Sequence, residues 1–529
     1  MGFYVNPSNE SFKCAINSKI YVDKTGLIQF TNSMLNTRQK FISVARPRRF
    51  GKSMAAEMLA AYYSSGCDSR ELFKGLEIEK SESFESELNK NHVIYFDVQG
   101  MRSEAKLLKT TKSYLDFIQT AIIGELRKTY PECIAENEIS LINALSTLNE
   151  IKGIIFIVII DEWDCYFREE KNNSKLIEDY IVFLRGLFKS TKSEQFIKLA
   201  YITGIFPIKK YGTQSALNNF KEFSMISPGS LAKYVGFTED EVKALCEKFD
   251  MDFDEAKRWY DGYSFSNLKS VYNPNSVVDA MFRKEYQSYW SQTESFEPLR
   301  QCIGMNFEGL RDDVISMLGG RNVKVRTNTF QNDLTNIKNK NDVLTLLIHL
   351  GYLSYNSENS SVSIPNFEVH DEFTDAVAEN DWGEVSKAVA ESDNLLDATI
   401  EGKSDKVAEA LEKIHSDCSS ILAYNDENSL SCAITIAYYT ARSYYTIIRE
   451  LPAGKGFADL VFIPRKNSTR PALLVELKYN KDADSAIKQI KEKRYTGALN
   501  DYMGNLLLVG INYDKESKTH SCIIEKFEA

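Results

Sequence analysis

Two clusters of residues, far apart in a chain of 529, have the types and spacing that phosphate chemistry needs. The first is Arg46-Pro47-Arg48-Arg49-Phe50-Gly51-Lys52-Ser53, which follows an apolar run from Phe41 and precedes the helical-looking stretch 54–63. Gly51 lets backbone approach a phosphate, Lys52 supplies a compact charge for the β- and γ-phosphates, and Ser53 can ligate Mg²⁺. The helix start adds free N–H groups and a partial positive charge. The motif is degenerate, because Walker A spacing would put glycine where Arg46 stands; an ordinary basic strand-to-helix turn is the competing reading. A second segment supports the phosphate reading. Residues 153–160 form a continuous β-branched run, as in a parallel strand buried on both faces, and end in Asp161-Glu162-Trp163-Asp164. Asp161 can hold Mg²⁺ and Glu162 can polarise the attacking water; an acidic N-cap is the alternative. A third apolar strand, 197–202, ends in Thr203-Gly204, where Thr203 could sense the γ-phosphate. One or more of Arg46, Arg48 and Arg49 could touch phosphates, though three adjacent arginines cannot all point one way.

The second cluster lies near the C-terminus. Residues 457–464 read as a strand broken by Pro464, and 472–479 as a second strand after a polar turn. Glu476 and Lys478 are two apart and share one face of that strand. With Asp459 on the neighbouring strand they form Asp…Glu-x-Lys: Asp459 and Glu476 bind Mg²⁺, and Lys478 orients or deprotonates a water. The following helix, 484–494, carries Gln489 with Lys488, Lys491, Lys493 and Arg494, which could steady the site and meet phosphates. A surface hairpin with a Glu-Lys cross-pair is the bland reading. It is disfavoured because charges within an apolar strand are costly to bury without a purpose.

These groups need elements to hold them. Strand, loop and helix alternate through the first 210 residues, with strands at 92–98, 153–161 and 197–203 and helical patterns at 107–128 and 174–189. The implied fold is α/β: a parallel sheet whose carboxyl ends gather Gly51, Asp161 and Thr203. Thr238-Glu239-Asp240-Glu241 is a capping box opening a helix. Residues 343–350 read as a helix followed by a hairpin, 352–355 and 361–364, the outline of a winged helix; its turn, Asn356 to Asn359, offers no positive charge. Length predicts several domains, taken as 1–230, 231–365, 366–441 and 442–529. Residues 366–441 hold 17 acidic against 4 basic side chains, and 442–529 hold 15 basic against 11 acidic, so an acidic helical connector leads into a module able to meet a polyanion or simply to present a mixed surface. Nine cysteines and five histidines are scattered without metal or disulfide spacing. No run approaches the roughly 20 apolar residues of a membrane span, and no secretory signal is visible, so a cytoplasmic protein without membrane contact is expected.

The chain resembles bacterial and archaeal proteins that join an AAA-ATPase-like domain to a C-terminal PD-(D/E)xK-superfamily nuclease domain. The resemblance rests on Tyr21-Val22-Asp23-Lys24-Thr25, Arg46 to Ser53, Asp161 to Asp164, Thr203-Gly204, Trp259-Tyr260-Asp261-Gly262-Tyr263 and Tyr272-Asn273-Pro274. It continues through Gly454 to Asp459, Glu476-Leu477-Lys478-Tyr479 and Gln489-Ile490. Trp163 stands where similar chains usually have tyrosine. The resemblance implies ATP as the nucleotide, a restriction-endonuclease-like C-terminal core and Glu450 as an added acidic member of its site. It also implies tolerance of a non-glycine at Arg46. Expected partners are nucleic acid, DNA above RNA; a homo-oligomer is left open, and a role in defence or mobile-element biology is an analogy from architecture. Two rivals stand beside an ATPase coupled to a Mg²⁺-dependent nuclease: a nucleotide-dependent switch or nucleic-acid-binding protein whose nuclease fold is inactive, and an ATP-driven interaction scaffold. A fragment beginning near Asp417 is expected to hold all the groups for cleavage.

Overall fold

The computed structural model describes residues 2–527 except 109–112, 209, 212–213, 216, 266–267, 291–296, 319, 331–336, 380–382, 418–429, 431–433, 435–436, 454–455, 465–467, 494–498, 500–501 and 503. The chain forms two compact units: Met1–Glu294 with Lys324–Val369, and Ser295–Val323 with His370–Ala529. Of the four expected segments, the helix-plus-hairpin falls in the first unit, and most of the acidic stretch falls in the second with the C-terminal sheet.

The first unit is built on five parallel strands. In chain order these are β1 (Phe41–Ala45), β2 (His92–Asp97), β3 (Phe156–Asp161), β4 (Ile197–Gly204) and β5 (Lys221–Phe223), arranged β2-β3-β4-β1-β5 across the sheet. Every residue of β1 and β3 is buried, which explains their unbroken apolar runs: helices cover both faces, and only side chains that need no water fit there. Helix Lys52–Tyr63 follows β1, and the amphipathic helices Tyr114–Thr129, Leu141–Lys152 and Ser174–Lys189 pack their apolar faces into one core with the sheet. The helix expected over 107–128 is Tyr114–Thr129, and Leu107 instead ends a separate helix, Val98–Leu107; Ser113 starts the later one by accepting a hydrogen bond from Asp116 N, a cap that the apolar periodicity alone did not reveal.

The capping box forms as expected, Thr238 and Glu241 satisfying each other's backbone at the start of Glu239–Phe249. Helix Lys340–Leu350 begins three residues before the expected point, because Asn339 caps it, and runs into the antiparallel strands Ser354–Asn356 and Ser361–Ser363. This element is tied to the loop after β1 through Tyr263. Phe50 packs edge-on against Tyr263 at 5.3 Å between ring centroids, and the Tyr263 hydroxyl donates to Gly351 O at 2.6 Å.

The second unit carries a mixed five-stranded sheet: β6 (Tyr445–Ala453), β7 (Gly456–Pro464), β8 (Ala472–Tyr479), β9 (Leu506–Asp514) and β10 (Thr519–Lys526), in that order. Only β8 and β9 run parallel, joined by a connection containing helix Ala483–Lys493; the other neighbours are antiparallel. Upstream of it the acidic stretch forms helices Phe367–Glu379, Gly383–Ile400 and Ser404–Asp417. Ser404 at the start of the last helix accepts from Ile524 N of β10. A fragment beginning near Asp417 would keep residues 450–489 but lack helix Ser404–Asp417 and its hydrogen bond to β10. Among the described residues, no helix is long and apolar enough to cross a membrane.

Candidate active sites

The first site opens at the carboxyl ends of β1, β2 and β3. After β1 the chain turns through Arg49 and Gly51, both left-handed (φ 64° and 88°), before helix Lys52–Tyr63 begins. Gly51 is suited to that φ, and a Cβ placed there would meet no protein atom within 4 Å, so the loop faces open space. The Lys52 ammonium is buried; it donates to Pro47 O at 2.9 Å and lies 3.7 Å from Glu162 Oε1. Ser53 donates to Asp161, whose carboxyl is nonetheless pushed up to about 7 by burial, with Glu162 and Asp97 adding like charge. Arg48, Arg49, Gly51, Lys52, Ser53, Asp161 and Glu162 all line one cavity of about 660 Å³, whose lining also includes Tyr21, Val22 and Phe237. A lining that combines groups able to meet phosphate with apolar and aromatic side chains suits a nucleotide.

Two expected members lie elsewhere. Arg46 N still bonds to Gly204 O, so the residue prolongs β1 and its side chain runs toward β5 instead of into the loop. There the guanidinium is fully buried, donates to Ala45 O and Phe223 O, and lies over the Phe265 ring at 5.1 Å; burial lowers its pKa to about 10. Thr203 pairs with Val44 inside the sheet, and its buried hydroxyl has no hydrogen-bond partner among the described residues. Neither residue lines the cavity.

The second site sits where β7 and β8 part. Their pairing stops at Leu460↔Val475, and beyond it the Asp459 carboxylate accepts from Leu477 N at 2.7 Å, taking the place of the missing ladder bond. Glu476 and Lys478 are 2% and 4% exposed. Lys478 Nζ donates to Glu476 Oε1 at 2.8 Å and to Leu477 O at 3.1 Å. Gln489 also donates to Glu476 Oε1. It reaches because Gly510, beside Glu476 on β9, leaves room for the helix: a Cβ there would come within 2.6 Å of Ala483 O. Glu450 lies in β6 between the pairs Arg449↔Leu460 and Leu451↔Ala458, across from Asp459; its side chain, like Arg494, falls outside the described residues. Burial, joined by the Asp459 charge, pushes the Glu476 carboxyl up to about 7, and its Oε2 is buried without a hydrogen-bond partner among the described residues. An unsatisfied carboxylate oxygen beside a second carboxylate fits a hard divalent cation. Among the described side chains, Asp459 and Glu476 are the carboxylates at this place, and oxygen from main chain or water could complete the shell of such an ion.

Residues 10–213 match the family model described as a predicted AAA-ATPase, and residues 425–522 match that of the PD-(D/E)XK nuclease superfamily. The chain joins an AAA-ATPase-like domain to a PD-(D/E)XK nuclease-superfamily domain. A relative from Azotobacter chroococcum mcd 1, described as an uncharacterized protein in the vnfD 5′ region, is 26% identical over 282 residues, 52% of this chain and 50% of that protein. The match thus spans half the length of that relative. Solved structures with some likeness are the ORC2 protein of Aeropyrum pernix in ADPNP–ADP complexes and Cdc6p from Pyrobaculum aerophilum. The first is 10% identical, with a TM-score of 0.25, over 69% of this chain and 98% of that one. The second is 13% identical, with a TM-score of 0.21, over 69% and 97%. Likeness at these scores carries no weight for function.

The AAA-ATPase-like domain also holds groups that the sequence did not announce. Asp97 ends β2 in register with Asp161, lines the same cavity and accepts from Gln99 N and Gly100 N, capping Val98–Leu107. The strand at 92–98 was legible, and a carboxylate at its carboxyl end was the available signal. Arg168 donates to Glu162 Oε2, and its Nε lies 3.4 Å from Asp164 Oδ1.

In the PD-(D/E)XK domain the raised Glu476 carboxyl makes stability depend on pH. The folded protein binds that proton more tightly than the unfolded chain, so the group's contribution is fully present below its ordinary 4.5 and is lost as pH rises through about 7. For metal-free protein, Glu476→Gln is expected to flatten the fall in melting temperature between about pH 5 and pH 8. Mg²⁺ should stabilise the unsubstituted protein more at the upper pH than at the lower. Thermal melts at both pH values check this, and an unchanged slope in Glu476→Gln contradicts it.

Proposed function

We propose that this protein is an ATPase coupled to a Mg²⁺-dependent nuclease that acts on nucleic acid, with DNA as the favoured substrate, and that the four segments read from the sequence are its ATPase core, lid and winged-helix-like region, acidic connector and nuclease. The observation that carries the ATPase reading is the convergence of Lys52, Ser53, Asp161 and Glu162 on one cavity, with Lys52 3.7 Å from Glu162. Lys52 neutralises phosphate oxygens, while Arg48 and Arg49 stand on the same rim. In hydrolysis a water oxygen bonds to the γ-phosphorus, the bond to the ADP oxygen breaks, and Glu162 takes a water proton. Ser53 and Asp161 would hold the Mg²⁺ that offsets charge on the phosphates.

In the nuclease, Asp459 and Glu476 would hold the cation, which supplies charge stabilisation at the scissile phosphate. Lys478 orients the attacking water, and Gln489 keeps Glu476 in place. The water oxygen bonds to phosphorus, the bond to one ester oxygen breaks, and the proton that water gives up is returned through solvent to that leaving oxygen. None of these groups comes from the nucleotide site, so ATP regulates cleavage instead of taking part in it.

Purified full-length protein should release phosphate from ATP and cut plasmid or oligonucleotide DNA when Mg²⁺ is supplied. Glu162→Gln should bind ATP with little change and hydrolyse it about 100-fold more slowly, the usual scale for loss of a general base. Hydrolysis unaltered in Glu162→Gln would overturn that assignment, and DNA left intact with and without ATP would overturn the nuclease reading.

A further inference from the structure

The backbone of Glu162 is fixed at both ends: its N donates to Asp161 Oδ1 at 3.0 Å and its O accepts from Cys165 N at 2.9 Å. It occupies left-handed φ (49°), a conformation that non-glycine residues seldom adopt. The carboxylate is suspended between two cations: Oε1 faces Lys52 at 3.7 Å, and Oε2 accepts from Arg168 Nη2. Arg168 lies six residues on, in the short helix Cys165–Glu169, is 8% exposed and does not line the cavity. Its Nε lies 3.4 Å from Asp164 Oδ1, and the other Asp164 oxygen accepts from Ile205 N at 3.0 Å and Phe206 N at 2.8 Å, just past the end of β4. Arg168 Nη1 is buried without a hydrogen-bond partner among the described residues. A guanidinium kept in so dry a place at that cost is weak evidence of stability alone, since a well-packed apolar residue often serves as well.

We infer that Arg168 is a positioning residue for ATP hydrolysis, holding the Glu162 carboxylate toward the phosphate loop and tying it through Asp164 to the segment after β4. Lys52 neutralises the nucleotide when ATP binds, so its hold on Glu162 is shared at that moment; Arg168, outside the cavity, keeps its hold throughout. The planar fork can face two carboxylates at once, which a lysine ammonium at the same place cannot match. The inference rests on the ATPase reading above.

The test uses full-length Arg168→Gln and Arg168→Lys, each alone and combined with Glu162→Gln, with Mg²⁺ and ATP as probes. Arg168→Gln should leave the ATP Kd within about threefold and lower kcat about tenfold or more; Arg168→Lys should recover part of that loss. In the Glu162→Gln background neither substitution should slow turnover further, because the group being positioned is gone. Amide exchange at Ile205 and Phe206 should quicken in Arg168→Gln with or without Glu162→Gln. If Arg168→Gln does not fold, Arg168→Lys and its double variant decide the question. Equal losses in both backgrounds, a Kd that weakens as much as kcat falls, or full kcat in the Arg168 variants would overturn the inference while leaving the ATPase reading intact. Unsubstituted protein that neither binds nor hydrolyses ATP would overturn the ATPase reading itself.

Discussion

Lys52→Ala should abolish ATP binding in the micromolar range while the protein stays folded. Lys52 is the buried ammonium of the cavity, and removing it leaves Asp97, Asp161 and Glu162 around the place where phosphates would lie. Truncating one partner of a buried charge pair costs about 3 kcal/mol or more, roughly 100-fold in Kd, and here the loss is compounded because carboxylates that lose their counterion repel the ligand. The fold should tolerate the change, since helix Lys52–Tyr63 is anchored by Ala55, Ala56, Met58 and Leu59, all buried, and alanine is the best helix former. Titration calorimetry with ATP and Mg²⁺, beside circular dichroism to verify folding, makes the measurement. Unchanged affinity in a folded Lys52→Ala protein would remove the nucleotide assignment for this loop.

Lys478→Ala should reduce DNA cleavage below about 1% of the unsubstituted rate, the scale expected when the group orienting the nucleophile is lost from a metal-assisted site. The substitution does not remove a ligand, so Mg²⁺ binding should survive. With Lys478 gone, Glu476 keeps its hydrogen bond from Gln489 but loses its closest cation, and near neutral pH it holds a proton more firmly. A bound cation would displace that proton, so Mg²⁺ affinity should weaken most below about pH 7. Cleavage of a labelled duplex, followed with Mg²⁺ titrated at two pH values, separates the two effects. A folded Lys478→Ala protein that cuts at the unsubstituted rate would contradict the role given to Lys478.

Much of both sites was legible because the groups are local to one turn or one strand. Gly51, Lys52 and Ser53 are consecutive, Asp161 and Glu162 end an unmistakable buried strand, and Glu476 and Lys478 share a strand face whatever the register of its neighbours. Residues whose role depends on a distant element were not legible. Arg46 follows the strand and not the loop, because Phe223 O, 177 residues away, accepts its guanidinium. Asp97 matters only because β2 lies beside β3 in a register that sets it against Asp161. Arg168 reaches back to Glu162 across a turn and a short helix, a separation with no periodic signature. The start of helix Tyr114–Thr129 was set too early, at 107, because the apolar pair Leu107-Leu108 was read with the helix that Ser113 caps.

The contact of Phe50 with Tyr263, and of the Tyr263 hydroxyl with Gly351 O, bears on how the chain is made. The first unit is discontinuous: Met1–Glu294 is completed by Lys324–Val369, and the intervening Ser295–Val323 belongs to the second unit. A nascent chain that has emerged only as far as Glu294 has its phosphate loop and Tyr263 but lacks Gly351, so the Tyr263 hydroxyl has no carbonyl to meet and the loop lacks its backing. Contacts of such long sequence separation form late, after the loop-closure entropy has been overcome. Synthesis therefore delivers the loop after β1 early and the Gly351 carbonyl about 300 residues later, after Ser295–Val323 of the second unit has been made.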